Sequence, residues 1–163
     1  PGSQFVLPLA KTVKNDEVSG PIKQSGLEIK VIDGFTYDVI SISDLLIVAS
    51  GSVTLEAAIL QKPMIIIYKL HFMTYILARL VCHISTIGLV NIIAGKEVVP
   101  ELQQRNATSE NITSWVLKVL ADEEYYERIK QELVEIEPLM GKKGAAQTTA
   151  KSIINCLYEE KSL

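Results

Sequence analysis

The run DLLIVASGSVTLEAAILQKPMIIIY at residues 44–68 limits what this chain can fold into more than any other stretch. Residues 45–49 are continuously apolar, as in a strand buried on both faces. Ser50-Gly51-Ser52 supplies a small-residue turn, and residues 53–61 read as a helix with Glu56 in its first turn. Lys62-Pro63 ends that helix ahead of a second apolar strand at residues 64–68. Two such strands joined by a helix belong in a parallel sheet, because parallel neighbours need a crossover. The unit also gathers unbonded backbone N–H groups and the positive end of a helix dipole at one edge of the sheet, where a diphosphate can sit. Glu56, four residues past Ser52, has no phosphate to hold, but it can accept hydrogen bonds from sugar hydroxyls. Together these features outline a nucleotide-sugar site. The plainer reading is that Ser-Gly-Ser only caps the helix and that Glu56 favours it as any first-turn acid would.

The other elements fit the same layout. Residues 4–9 read as a short buried strand, and residues 11–22 as a polar stretch that begins as a helix. Residues 27–32 alternate as a strand that stops at Asp33-Gly34, and residues 37–43 suit a short helix. Residues 71–83 have helical length with apolar side chains on nearly every side. Residues 89–102 contain Asn91, Gly95 and Pro100 and read as a loop with a short helix beginning near its end. A helix is expected over residues 108–120 with Ser109 as its cap. An acidic amphipathic helix follows over residues 122–135, stopped by Pro138 and Gly141, and a last helix over residues 145–159. Strands alternating with helices predict an α/β fold, a Rossmann-like parallel sheet flanked by helices with a C-terminal helical segment.

Composition removes several function classes. A net charge of −3 speaks against nucleic-acid binding. The charge is uneven: residues 60–105 are mildly basic, with Lys62, Lys69, Arg79, Lys96 and Arg105 against Glu97 and Glu101, while residues 121–137 are strongly acidic. One face is expected to meet something anionic and the other water. Cys82 and Cys156 lie far apart, and His71 and His83 are better read as packed or surface imidazoles than as ligands, so no metal, cofactor or disulfide is expected. The sequons at Asn106 and Asn111 are expected to be coincidental. Lys69, His71 and Arg79 interrupt the apolar run at residues 64–94, so no uncharged stretch approaches the roughly 20 residues that span a bilayer.

Three blocks, ASGSVTLEAAILQKPMIIIYK, TYILARLV and GLVNIIAGKEVVPELQQ, resemble the C-terminal half of lipid-A-disaccharide synthases, glycosyltransferases of the two-domain GT-B fold. The resemblance runs from residue 4 to residue 158 and keeps the spacing between blocks. It implies that residues 4–163 form a single nucleotide-sugar-binding domain cut from a two-domain enzyme, without the opening strand and helix of that half. Residues 1–3 then read as a leader of the kind a cloning tag leaves. The family's opening Pro-Gly-Ser-Arg is only superficially echoed, since Gln4 stands where the arginine would be.

By resemblance, Ser50, Gly51, Ser52 and Thr54 line the diphosphate turn, Glu56 binds the ribose, and Asn91 with the Ala94-Gly95-Lys96-Glu97 loop closes over the donor. The donor is UDP-2,3-diacylglucosamine and the acceptor an acylated glucosamine-1-phosphate, joined by inverting, metal-independent transfer in lipid A biosynthesis. No catalytic residue is expected within this chain, because the proposed base belongs to the N-terminal domain, and the chain alone should be inactive. Phe72, Met73, Tyr75, Ile76 and Leu80 are read either as core or as contacts to acyl chains or lipid headgroups. The resemblance places the enzyme on the cytoplasmic side, peripheral to the bacterial inner membrane, with homo-oligomerisation left open. The competing readings are another UDP-sugar enzyme of this fold, of the muramyl-pentapeptide GlcNAc transferase or UDP-GlcNAc 2-epimerase type, and a non-catalytic module that binds a membrane or partner.

Overall fold

The computed structural model describes residues 2–10, 12–70, 86–141 and 144–159. Five strands and eight helices follow one another among these residues, and every strand pairing is parallel. β1 (Phe5–Leu9) and β2 (Ile29–Asp33) form one ladder, with Phe5 opposite Ile29 and Leu9 opposite Asp33. They are joined by α1 (Asn15–Ser25). This helix lies later than the expected residues 11–22, for two local reasons. The Glu17 carboxylate accepts from the Lys14 amide at 3.1 Å, fixing the start, and Gly26 ends it in the left-handed conformation at φ 67°. No residue of α1 is buried, so Pro21 is accommodated within an exposed helix.

From β2 the chain passes through α2 (Thr36–Ile42) into a second, three-stranded ladder ordered β3-β4-β5. β3 (Leu46–Ala49), α3 (Val53–Ile59) and β4 (Met64–Tyr68) are the unit expected from residues 44–68. Residues 71–83, with the expected acyl-contact side chains Phe72, Met73, Tyr75, Ile76 and Leu80, lie outside the described residues.

Residues 89–102 depart from the expected loop. They form α4 (Leu89–Ala94) and then β5 (Glu101–Gln103), which pairs with β4 through Ile66 opposite Glu101. A six-residue helix is too short to show a period, and a three-residue strand with polar ends has no alternation to read, so both are tertiary products. The Gln104 side chain clasps β4's exit, its nitrogen 3.1 Å from the Leu70 carbonyl and its oxygen 3.1 Å from the Leu70 amide.

α5 (Ser109–Ala121) begins on Thr108 and not on Ser109: the Thr108 hydroxyl accepts from the Asn111 amide, while the Ser109 hydroxyl turns to the Glu110 carboxylate. Thr108 holds the extended backbone of a cap, and Ser109 is already helical. Asp122 caps α6 (Glu123–Val134), which α7 (Ile136–Leu139) and α8 (Ala145–Glu159) follow.

β4 divides the core by alternation. Met64 and Ile66 join Leu46, Val48, Ala57, Ala58, Val90, Val119, Ile129 and Leu133 on one face. Ile65 packs with Leu102 and Ala107 on the other, with Ile67 and the α5 residues Ile112 and Trp115 against them. Parallel sheets are stable only when covered on both faces. Both faces of β4 meet that demand, which sets α3 firmly against β3 and β4. No helix among the described residues is long and apolar enough to cross a membrane.

Candidate functional site

The turn after β3 is built from its own small residues. The Ser50 amide donates to the Ile67 carbonyl at 3.2 Å, and the Ser50 hydroxyl donates to the Ile87 carbonyl at 3.1 Å. The chain then winds into α3 early: the Thr54 amide donates to Gly51 at 3.1 Å, while Leu55 and Glu56 both donate to the Ser52 carbonyl. These bonds consume the amides of Thr54, Leu55 and Glu56. The amides of Gly51, Ser52 and Val53 have no partner among the described residues. Ser52 is exposed, and its hydroxyl makes no capping bond. The plain capping role is therefore not what this serine performs.

Of the other residues expected here, Glu56 is half-buried, and its carboxylate makes no hydrogen bond or ion pair with a described residue. Thr54 differs. Its side chain is fully buried and its hydroxyl donates to the Gly51 carbonyl at 2.8 Å, so it shapes the turn from beneath and offers nothing to a ligand.

Asn91 is also internal. It is 1% exposed, its nitrogen donates to the Val99 carbonyl and to Glu101 Oε1, both at 2.8 Å, and its oxygen accepts from the Val98 and Val99 amides. These four bonds use the full capacity of a side-chain amide, leaving none for a donor sugar. Its partner Glu101 was not singled out by sequence. The Glu101 carboxylate accepts from the Ile87 amide at 2.8 Å, the Gly88 amide at 2.9 Å, Asn91 and the Gln103 side chain. An acid opening a strand next to Pro100 is the signal that was there to find.

Gly95, Lys96 and Glu97 do not join the turn either. Gly95 closes α4 in the left-handed conformation at φ 67°. In a parallel sheet, residues leading into β5 lie at the opposite end from residues leaving β3. Lys96 accordingly pairs with Glu132 of α6 at 2.9 Å, and the same helix reaches the start of β3 through the Tyr126 hydroxyl, bonded to the Asp44 carbonyl at 3.0 Å. On α6 burial pushes up the pKa values of Tyr125 and Tyr126; Arg128 beside Tyr125 opposes the rise, and Asp44 beside Tyr126 adds to it. A separate open cleft of about 450 Å³ at the carboxyl ends of β1 and β2 is lined by Leu9, Val13, Lys14, Asn15, Asp16, Val31 and Asp33, and none of the expected site residues among the described ones lines it.

The structure thus brings together Ser50, Gly51, Ser52 and Glu56 at the carboxyl end of β3, the end at which open α/β sheets bind ligands. The profile of the lipid-A-disaccharide synthetase family matches residues 1–154. The chain belongs to the lipid-A-disaccharide synthetase family. It is 35% identical over 157 residues to the lipid-A-disaccharide synthase of Myxococcus xanthus, covering 96% of this chain and 41% of that protein. Similarity to the synthase of Geobacter sulfurreducens is 34% identity over 98% of this chain and 42% of the relative. For Nitrosococcus oceani it is 38% identity over 98% of this chain and 41% of the relative. The chain therefore spans about two fifths of the length of the curated synthases it matches. Every residue of the turn, of α3 and of the Asn91–Glu101 cluster falls inside the part matched by the synthetase profile.

Proposed function

We propose that this chain is the donor-binding part of a lipid-A-disaccharide synthase, a glycosyltransferase that moves 2,3-diacylglucosamine from UDP to an acylated glucosamine-1-phosphate. The observation that carries the reading is the open turn within the family's matched span: three amides, at Gly51, Ser52 and Val53, and the Glu56 carboxylate, all without a partner among the described residues.

In this reading the pyrophosphate of UDP rests on those amides and the Ser52 hydroxyl, while Glu56 accepts from the ribose hydroxyls. Transfer is a single displacement with inversion. As the sugar–phosphate bond breaks, negative charge grows on departing UDP. Fixed N–H donors already aimed at the pyrophosphate meet that charge without reorganising, so no bound metal is called for. Ser50 and Thr54 hold the turn's shape, and Asn91 and Gly95 set the neighbouring backbone. The acceptor pocket and general base belong to the rest of the enzyme, so the chain alone is silent in disaccharide synthesis. Phe72, Met73, Tyr75, Ile76 and Leu80 are proposed to meet acyl chains or headgroups at the cytoplasmic face of the inner membrane, where the enzyme is peripheral.

Calorimetric titration with UDP tests the site. Saturable heat that disappears in Ser52→Pro, which removes one of the three amides, is the expected result. Absence of both heat and thermal shift at millimolar UDP overturns the donor-site reading.

A further inference from the structure

We propose that Glu101 is a positioning residue for the Ser50–Ser52 turn, acting on it through the backbone of Ile87 and Gly88. Ile87 is gripped from two sides. Its amide donates to Glu101 Oε2 at 2.8 Å, and its carbonyl accepts from the Ser50 hydroxyl at 3.1 Å. Glu101 itself is anchored in the sheet, opposite Ile66 in register, and its other oxygen holds the Gly88 amide and the Asn91 side chain. Ser50 is thus tied to β4 through its amide and to β5 through Ile87 and Glu101, just before the three amides that have no partner among the described residues.

Two further features show that this contact is built. Gly88 is buried, and a Cβ there would run into Ile66 Cδ1 and stand 2.8 Å from Glu101 Oε1, so only glycine lets the carboxylate come this close. A carboxylate is also the one side chain that can take four donors on two oxygens. A glutamine has a single acceptor oxygen and would turn an NH2 group toward N–H groups. The acid at the amino end of α4 is therefore spent on holding the chain's own backbone in place. Its relevance to the ligand rests on the reading of the turn as the pyrophosphate seat; the tether itself does not.

The experiment combines Glu101→Gln, Ser50→Ala and the double variant, measuring UDP affinity by calorimetry and residue-resolved amide hydrogen exchange without ligand. Glu101→Asp, which keeps the charge on a shorter arm, replaces Glu101→Gln should the latter not fold. Each single change should weaken UDP binding about three- to tenfold and speed exchange of the Ser50 amide. The double variant should bind no worse than the weaker single, because both cuts sever one connection. Multiplying losses in the double variant, or wild-type exchange at Ser50 when Glu101 is changed, overturns the proposal. Should the unaltered protein bind no UDP, the donor reading falls and the exchange rates alone decide the tether.

Discussion

The Tyr126 hydroxyl donates to the carbonyl oxygen of Asp44 at 3.0 Å, joining the first turn of α6 to the residue two before β3 across 82 positions of sequence. Together with the Lys96–Glu132 pair it docks α6 at the amino end of the three-stranded sheet, leaving the carboxyl end to the Ser50–Ser52 turn.

Replacing Tyr126 by Phe removes that bond and keeps the ring. Because both partners can otherwise bond to water, the expected loss is about 0.5–1 kcal/mol, read from the urea midpoint. UDP affinity should stay unchanged, since the contact lies at the far end of the sheet.

Alkaline pH should weaken the fold by way of α6. Burial raises the pKa values of Tyr125 and Tyr126, so the folded state holds their protons more tightly than the unfolded chain does. Their contribution is complete below the ordinary tyrosine value of about 10 and fades as pH climbs from there through the raised values. Ultraviolet difference titration should show late ionisation of these phenols, and unfolding midpoints should fall over the same interval. Tyrosines that titrate as free phenol does would contradict this.

Asn91→Ala should be among the most damaging single changes. It strips partners from the Val98 and Val99 amides, the Val99 carbonyl and Glu101 in a buried setting. The expected cost is about 2–4 kcal/mol, visible as a lowered melting temperature. A variant as stable as the parent would mean that the cluster is not holding the β5 approach.

Gly88→Ala adds a methyl group where Ile66 and the Glu101 carboxylate already stand. Ile66 is fully buried and the carboxylate is held by its donors, so neither moves freely, and a loss of about 1–3 kcal/mol is expected in denaturant titration.

Glu56→Ala and Lys96→Ala should part company. The Glu56 carboxylate makes no hydrogen bond or ion pair with a described residue, so its loss should leave stability within about 0.5 kcal/mol while UDP affinity falls about tenfold. Lys96 is 54% exposed in its ion pair with Glu132, which makes the pair worth well under about 1 kcal/mol, and its loss should not touch UDP binding. Equal effects on the ligand would place both at one site and contradict the separation across the sheet.

The β3–α3–β4 unit was legible because its signals are local. Continuous apolar runs mark strands buried on both faces, and Ser-Gly-Ser and Lys-Pro mark the turns between them. The last helix, at residues 145–159, was legible for the same reason. α4 and β5 were not, because the residues that define them are bonded to distant ones: Glu101 to Ile87 and Gly88, and Ile66 to Pro100 and Glu101. The candidate site divided along the same line. Ser50, Gly51, Ser52 and Glu56 share one short stretch, and their proximity was implied by spacing.

By itself the sequence determined the parallel α/β layout, the turn that opens α3 and the family to which the chain belongs, since each is written in contiguous residues. Only the tertiary structure decided which side chains remain free. Burial spent Asn91 and Thr54 on backbone partners, and the common direction of the strands carried Lys96 and Glu97 to the far end of the sheet. The reason is physical: whether a polar group can meet a ligand depends on whether folding has already given it a partner, and partners are chosen by packing in three dimensions.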